Sequence, residues 1–225
     1  MQTVANKDFN IQITQEHGLI INDKTIKTKN INTALKQVPK TTYLRSNCET
    51  KWRHEMNKYI DFNPIWSCLK NIQCSRKIVQ FQWKCLHNII TTELTLRNMN
   101  KSNGICRLCN NSLETQRHLF LECTNAARLW SDIKTIMNDE IELTALTEEN
   151  IMLLTEENNI IAADICNTIL TVKWVIWKER CVIRYQDNVN IGYTHYKTLL
   201  KYELQELKHM KQHNTAIHNK IINAL

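Results

Sequence analysis

The sequence predicts a mainly α-helical protein. Glycine and proline are scarce, with three Gly and two Pro in 225 residues, whereas an all-β fold needs turn residues about every ten positions. Apolar residues recur at helical spacing through most of the chain beyond residue 40. Ser, Thr and Asn residues stand directly before several of these segments, where helix N-caps are expected. We therefore expect long helices joined by polar loops.

The first forty residues carry the weakest signal. The stretch FNIQIT alternates apolar and polar residues, EHG can turn, and LIIND follows, a pattern typical of a short β-hairpin. The low density of apolar residues is equally compatible with a weakly structured arm. The sequence therefore separates 1–40 as an N-terminal arm, either hairpin or weakly structured.

Helical patterns follow one another between residues 41 and 100. YLRSNCETKWRHEMNKYI is compatible with one helix, and Asn63 then resembles an N-cap with Pro64 at the first helical position. Ser75 precedes RKIVQFQWKCLHNII, and Thr91 and Thr92 can begin a short helix, TELTLRNM. The apolar stripe of the Ser75 segment consists of Ile78, Phe81, Cys85 and Ile89.

The second half of the chain has the same character. Thr124 begins a helix with the apolar face Ala126, Leu129, Trp130, Ile133 and Met137. A polar link leads into a buried helix over roughly 158–186, and Gly192 precedes a last amphipathic helix. The stripe of that last helix is Tyr196, Leu200, Leu204, Leu207, Ile217 and Ile221. We therefore divide the rest of the chain into a helical domain, 41–190, and a C-terminal amphipathic helix, 191–225.

The sequence predicts neither a secreted protein nor a membrane protein. MQTVANKDFN lacks the apolar core of a secretory signal. The most apolar segment, IIAADICNTILTVKWVIW, is interrupted by Asp164, Asn167 and Lys173, so a buried helix is the better interpretation. We expect an intracellular protein, in the nucleus or the cytoplasm, with no membrane contact and with its nine cysteines reduced.

Charge is distributed unevenly along the chain. Residues 40–108 contain twelve Lys and Arg against four Asp and Glu, whereas residues 135–172 contain eight acids and no Lys or Arg. A segregated basic region predicts a polyanionic partner. The alternative is that the basic part neutralises the acidic part across an intramolecular interface.

Three cysteines and a histidine lie within the eighteen residues CRLCNNSLETQRHLFLEC. The spacing is Cys106-x2-Cys109-x8-His118-x4-Cys123. Three thiolates and one imidazole are a standard tetrahedral set for structural Zn²⁺, and a set of four protein ligands leaves no position for catalysis. The alternative is a chance grouping of core cysteines and a surface histidine. We accept that core interpretation for the other six cysteines, Cys48, Cys68, Cys74, Cys85, Cys166 and Cys181.

The backbone must satisfy two conditions for these four side chains to converge. After Cys109 the chain has to turn sharply, and Asn110 and Asn111 are the non-glycine residues that best tolerate a positive φ. Residues five apart on an α-helix diverge by about 140°. A helix holding His118 must therefore end before Cys123, and a new helix beginning at Thr124 would provide that break.

A zinc ion with three thiolates and a neutral imidazole carries one net negative charge. Lys101, Arg107 and Arg117 lie close in sequence and are expected to balance it. These bases therefore have a role at the metal centre as an alternative to nucleic-acid contact.

The run ETQRHLFLECTNAARLW, with CRLC upstream, resembles the zinc-binding (CCHC) C-terminal region of non-LTR (LINE-type) retrotransposon reverse transcriptases. The matching positions are Cys106, Cys109, Glu114, Thr115, His118, Leu119, Phe120, Cys123, Ala126 or Ala127, and Trp130. Upstream the similar positions are Trp66, Lys77, Phe81, Trp83, His87, Thr92, Leu96 and Arg97. Downstream, KWVIWKER is similar to the family's Trp-x-x-Trp-Lys-x-Arg. The resemblance covers roughly 60–184. It departs from the family at Ile90, where Leu-Pro-Thr is usual, and at Asn110, where glycine is usual.

The resemblance implies part of a polymerase, but the catalytic residues are missing. A polymerase needs paired carboxylates that hold two metal ions, and the nearest candidate, YQDN at 185–188, has one acid. Asp187 with Glu206 and Lys208 formally matches a nuclease pattern, but the last two residues lie on an amphipathic helix rather than a strand. We therefore expect no enzyme activity and no small-molecule substrate.

The resulting hypothesis is a non-catalytic, zinc-stabilised helical domain that binds nucleic acid, either template RNA or target DNA, through its basic helices. The candidate contacts are Arg76, Lys77, Lys84, Arg97, Lys101, Arg107 and Arg117, with Trp83 beside them, and such binding is driven by phosphate contacts. The alternative is a protein-interaction scaffold without a nucleic-acid role, in which 193–225 pairs with itself or with a partner helix.

Overall fold

The structure is a computed structural model that describes the backbone of 4–5, 11–14, 18–21, 43–138, 146–186, 193–211 and 216–225, and side chains from residue 48 onward within these ranges except 138 and 208–211. The chain divides into two compact units, 1–47 and 48–225. The described part is mainly helical, which confirms the predicted fold class. None of its helices is long and apolar enough to cross a membrane. The predicted division at 40 and 190 stays a prediction.

The first unit contains a three-stranded antiparallel sheet in the order β1-β2-β3. The strands are β1 (Val4–Ala5), β2 (Ile11–Thr14) and β3 (Gly18–Ile21). Strands β2 and β3 pair with Ile11 opposite Ile21 and Thr14 opposite Gly18, so the hairpin expected from the alternating pattern is present. Strand β1 adds to it with Val4 opposite Ile13, which the sequence did not indicate.

Among the described residues, four helices precede the Cys/His loop: α1 (Tyr43–Met56), α2 (Phe62–Asn71), α3 (Arg76–Leu86) and α4 (Glu93–Asn98). Ser75 caps α3 as predicted, whereas Thr92, which was expected to lie inside the next helix, caps α4. Each hydroxyl accepts a hydrogen bond from the backbone N–H three residues on. The predicted start of α2 was wrong. Asp61, in an extended conformation, accepts the backbone N–H of Asn63 at 3.0 Å, so the helix begins two residues before Pro64.

Five helices follow the loop in the part of the chain that the structure describes: α5 (Thr124–Asn138), α6 (Glu148–Leu153), α7 (Ala163–Tyr185), α8 (Tyr193–Lys211) and α9 (Ala216–Ala224). The expected polar link contains α6, which Thr147 and Asn150 begin with a reciprocal capping box. Helix α7 starts later than predicted because β4 (Thr155–Glu156) and β5 (Asn159–Ile160) form a hairpin before it.

The predicted apolar faces mostly form the core. All five residues of the α5 face are buried. The last stripe is also buried except at Ile217, because α8 packs on α7 and α9 packs on α5. Ile89 was wrongly placed in the α3 stripe and is 56% exposed. Helix α3 ends at Leu86, and Asn88 has a φ of 54°, so the chain leaves the helix before Ile89.

The six cysteines outside the cluster are core or half-buried residues. Cys48, Cys74, Cys85 and Cys166 are buried, whereas Cys68 and Cys181 are partly exposed. All nine cysteines are free thiols. Burial raises the pKa of Cys85 to about 11, so this thiol stays protonated at neutral pH, as a core residue would.

Candidate metal centre

The first half of the Cys/His loop is a tight hairpin. The backbone N–H of Cys106 donates to the Ser112 carbonyl at 2.8 Å, and the N–H of Asn110 donates to the Cys106 carbonyl at 2.9 Å. Asn110 has a φ of 53°, which confirms the predicted left-handed turn. Gly104 has a φ of 84°, and a Cβ there would lie 2.8 Å from Cδ of Arg97. Both positions therefore need residues that tolerate positive φ.

The second half of the loop is held by a π-helical turn, His118–Glu122. The hydroxyl of Thr115 accepts the His118 N–H at 2.8 Å and so caps the start of this helix. The N–H of Cys123 donates to the His118 carbonyl at 2.7 Å, a bond from residue i+5 to residue i. The helix ends before Cys123 and a new one begins at Thr124, as predicted. The sequence did not indicate that a π turn would bring two residues five apart onto one side.

The four candidate ligand atoms lie within 4.8 Å of one another. Sγ of Cys106 is 4.0 Å from Sγ of Cys123, and Sγ of Cys109 is 3.3 Å from Nε2 of His118. Thiolates bound tetrahedrally at about 2.3 Å from Zn²⁺ lie about 3.8 Å apart. The spacing therefore fits a zinc ion with Nε2 as the imidazole ligand. Nδ1 of His118 faces the Glu122 carboxylate at 4.0 Å, the side from which carboxylates orient zinc-bound histidines.

The surroundings of the thiols favour a thiolate at Cys123. A hydrogen bond from the Cys106 thiol lowers the pKa of Cys123, and backbone N–H groups of Asn125 and Ala126 lower it further. The pKa of Cys106 is raised, first by its hydrogen bond to Cys123 and then by burial. The N–H groups at the start of α5 therefore point at a sulfur that zinc binding needs as an anion.

A buried ion network, which sequence reasoning missed, joins the loop to α7. Nε of Arg180 donates to Oε1 of Glu114 at 2.9 Å, and Nη2 donates to Oε1 of Glu93 at 3.0 Å. The side chains of Arg180, Glu114 and Glu93 are at most 1% exposed. Glu114 also accepts the backbone N–H groups of Glu93 and Arg107. The only sequence signal was that Glu114 and Arg180 occupy family-pattern positions.

Opposing effects act on the pKa of Glu93. Burial raises it, but hydrogen bonds from Ser102 and Arg184 and the charges of Arg180 and Arg184 outweigh burial, so the pKa lies below its usual value. Nη1 of Arg184 lies 2.6 Å from Oε2 of Glu93. Glu93 is therefore ionised at neutral pH although it is fully buried.

The seven bases predicted to contact nucleic acid fall into two groups. Arg76, Lys77 and Lys84 lie on α3, and Arg97 and Lys101 lie in and after α4. These five are exposed, and none makes an ion pair within the part of the chain that the structure describes.

The other two bases pair with carboxylates. Arg107 is 3.6 Å from Glu93, and Arg117 is 2.8 Å from Glu122 and 2.5 Å from Glu148. Neither pair joins the basic stretch 40–108 to the acidic stretch 135–172, so neither bears on the intramolecular alternative; Lys58 with Glu149 is a pair that does join them. The expectation was that both arginines would balance the charge of the metal centre directly, whereas in the structure each pairs with a carboxylate.

Three rings line up beside the basic residues of α3. Trp83 is 46% exposed, and its ring centroid lies 4.1 Å from that of His87, which in turn lies 5.4 Å from that of Trp66. Nε1 of Trp66 donates to Glu49 at 3.1 Å and anchors the inner end of the row. The outer end therefore presents an exposed indole next to Lys84.

The structure gives no arrangement of side chains for the nuclease-like pattern of Asp187, Glu206 and Lys208 within the described residues. Glu206 lies on α8 as an exposed residue, and Asp187 lies outside the described residues.

Residues 44–130 match the model of a protein family described as zinc-binding in reverse transcriptase. The match contains all four cluster residues but covers less than half of the chain. No curated protein shows significant similarity to the chain, and neither does any solved structure. Over 44–130 the chain is thus similar to the zinc-binding region of reverse transcriptases, and its Cys/His cluster fits zinc binding.

Proposed function

We propose that this chain is a non-catalytic module of the kind found at the C-terminal end of non-LTR (LINE-type) reverse transcriptases. Its Cys106, Cys109, His118 and Cys123 side chains hold one structural Zn²⁺ ion, and its basic helices bind nucleic acid. The family match and the four converging ligand atoms support the metal site. With four protein ligands the ion has no open position, so it supplies folding energy rather than chemistry.

Metal analysis of the purified chain tests the zinc site. We expect one zinc ion per chain, lost in Cys106→Ser because the thiolate ligand is replaced by a hydroxyl. Cys85→Ser is the matched control, since Cys85 is buried like Cys106 but lies outside the cluster. Metal-free wild-type protein, or zinc retained in full by Cys106→Ser, would contradict the proposal.

The observation that carries nucleic-acid binding is the exposed face of α3. It presents Arg76, Lys77 and Lys84 without carboxylate partners among the described residues, and Trp83 stands exposed beside them. Lysine and arginine side chains bind phosphates, while exposed aromatic rings stack on bases. The proposed partner is therefore a polynucleotide, either template RNA or target DNA.

Salt dependence of binding tests this partner. Fluorescence anisotropy of labelled single-stranded and duplex oligonucleotides should show binding at low salt. The affinity should fall by about tenfold or more between about 50 mM and about 200 mM salt, because each phosphate contact releases counterions. Undetectable binding at low salt would overturn the proposal.

The scaffold alternative has less support. Its motivating feature was the apolar stripe of 193–225, and that stripe packs against α5 and α7. Light scattering on the full chain would favour the scaffold if it gave a dimer while no nucleic acid bound.

A further inference from the structure

A groove of about 310 Å³ lies between α3 and α7. Lys77 and Lys84 line one wall, and Trp174 and Trp177 line the other. Lys77 and Lys84 are seven residues apart, which is about two helical turns, so they project from the same face of α3. Among the described lining residues these lysines carry the only charge, and none is acidic.

The two indoles of this wall pack against neighbouring side chains. The ring centroid of Phe81 lies 5.5 Å from that of Trp174 and 5.8 Å from that of Trp177. The guanidinium of Arg180 lies over the ring of Trp177, 5.2 Å from its centroid. Within the described residues neither indole N–H donates a hydrogen bond to the protein, in contrast to Trp52, Trp66 and Trp130.

The chemistry of the lining selects an anion that also carries a flat apolar surface. Two ammonium groups attract a negative charge, and no lining carboxylate competes for them. The two half-buried indoles offer ring surface and free N–H donors. A nucleotide combines these features, because its phosphate is anionic and its base is flat and rich in acceptors.

We propose that this groove binds one nucleotide of a single-stranded nucleic acid, with the phosphate between Lys77 and Lys84 and the base against Trp174 and Trp177. The inference rests on the proposed nucleic-acid binding and names its site and its strand class. In a duplex the base faces are covered by stacking, so a double helix reaches the lysines but not the indole wall.

Matched charge changes in the full chain test the site. The double variant Lys77→Ala/Lys84→Ala removes the groove lysines, and Lys51→Ala/Lys70→Ala removes two other exposed lysines without ion pairs in the described residues. With a single-stranded oligonucleotide, we expect the groove variant to lose at least about tenfold more affinity than the control. With a duplex of equal length, whose phosphates still reach Lys77 and Lys84 but whose bases cannot reach the indoles, the extra loss of the groove variant over the control should be several-fold smaller.

A third variant tests the base contact. Trp174→Phe keeps an aromatic ring against Phe81 but shortens the indole wall, so the fold should be retained by circular dichroism. We expect it to weaken single-strand binding several-fold and to leave duplex binding unchanged.

The results separate this inference from the proposed function. If both double variants lose the same affinity for both substrates and Trp174→Phe changes nothing, the groove is overturned while phosphate-driven binding stands. If the wild-type chain binds neither oligonucleotide at low salt, the proposed function fails and the groove inference fails with it.

Discussion

The loop from Gly104 to Cys123 and helix α7 both place ionisable groups in the interior, but they neutralise them differently. The loop brings three thiols and an imidazole together within eighteen residues, and thiolates at that spacing need a cation from solution. Helix α7 buries Arg180 and takes its counter-charges, Glu93 and Glu114, from the protein itself. One region depends on a bound ion, and the other carries its own counter-charges.

Glu114 connects the two regions. It lies on the loop between Cys109 and His118, and its carboxylate accepts from Arg180 of α7. The loop is therefore anchored to the core at a point between its two halves of the metal site. Removing the metal and removing the arginine should therefore have distinguishable effects on the stability and the zinc content of the protein.

Removing zinc should have the largest effect. A chelator at pH 7 should lower the unfolding free energy of the zinc-loaded chain by more than about 5 kcal/mol, because the energy of binding a structural zinc ion is also folding energy. Urea denaturation followed by circular dichroism measures the change. The same chelator should have no effect on the stability of Cys106→Ser. An unchanged unfolding free energy of the wild type in the chelator would contradict a structural role for the metal.

Arg180→Met should have the next largest effect, about 3–5 kcal/mol of lost stability, because the buried carboxylate of Glu114 loses its guanidinium partner and Glu93 loses one of its own. The matched control is Lys178→Met on the same helix, whose 33%-exposed side chain pairs with Glu203 at 2.6 Å and should cost no more than about 1 kcal/mol. Zinc content should stay at one ion per chain in both variants. Equal losses in the two variants would show that the buried network does not stabilise α7.

Lys173→Met should change how stability depends on pH. Burial lowers the pKa of Lys173 from 10.5 to about 8, with an opposing charge effect from Cys85. Below pH 8 the folded state carries a buried charge, whereas above 10.5 the lysine is neutral in both states. The contribution of Lys173 to stability therefore rises between these pH values, by at most about 1.4 kcal/mol per pH unit.

Urea titrations of both proteins at pH 7 and at pH 10 measure this effect. The wild type should gain stability relative to Lys173→Met as the pH rises, and cysteine ionisation common to both proteins cancels in the difference. A constant difference between the two proteins would mean that Lys173 does not titrate in this range.

The smallest effect is expected in the backbone of the loop. Asn110→Val should cost about 1–2 kcal/mol, because a β-branched residue is strained at a φ of 53°. Asn110→Gly should change stability by less than about 1 kcal/mol, since glycine adopts this conformation freely. Thermal melting of the zinc-loaded variants compares them, and equal melting points would argue against strain at this turn.

Features determined by short stretches of sequence were predicted well. The ligand spacing, the left-handed turn at Asn110, the cap at Ser75 and the new helix at Thr124 all depend on a few neighbouring residues. The α5 stripe was equally readable because its period is regular.

Features determined by distant contacts were not predicted. Arg180 lies 66 residues from Glu114 and 87 from Glu93, and Arg and Glu on helices usually indicate a solvated surface. Lys173 likewise bonds Gln82 across 91 residues. The π turn was missed because the residues from His118 to Glu122 are compatible with an ordinary α-helix. The local sequence pattern therefore identified the metal loop but not the ion pairs of Arg180 that connect this loop to the core.

The ion pairs of Arg180 with Glu93 and Glu114 also bear on how short a fragment of this protein can be and still fold. The family match stops at Trp130, yet Glu93 and Glu114 inside it meet their guanidinium partner fifty residues further along the chain. A fragment trimmed to the matched region would keep every zinc ligand but lose Arg180 and Arg184, the α7 guanidinium partners of these carboxylates. We therefore expect a fragment that folds on its own to reach through the end of α7, beyond the boundary of the recognisable pattern.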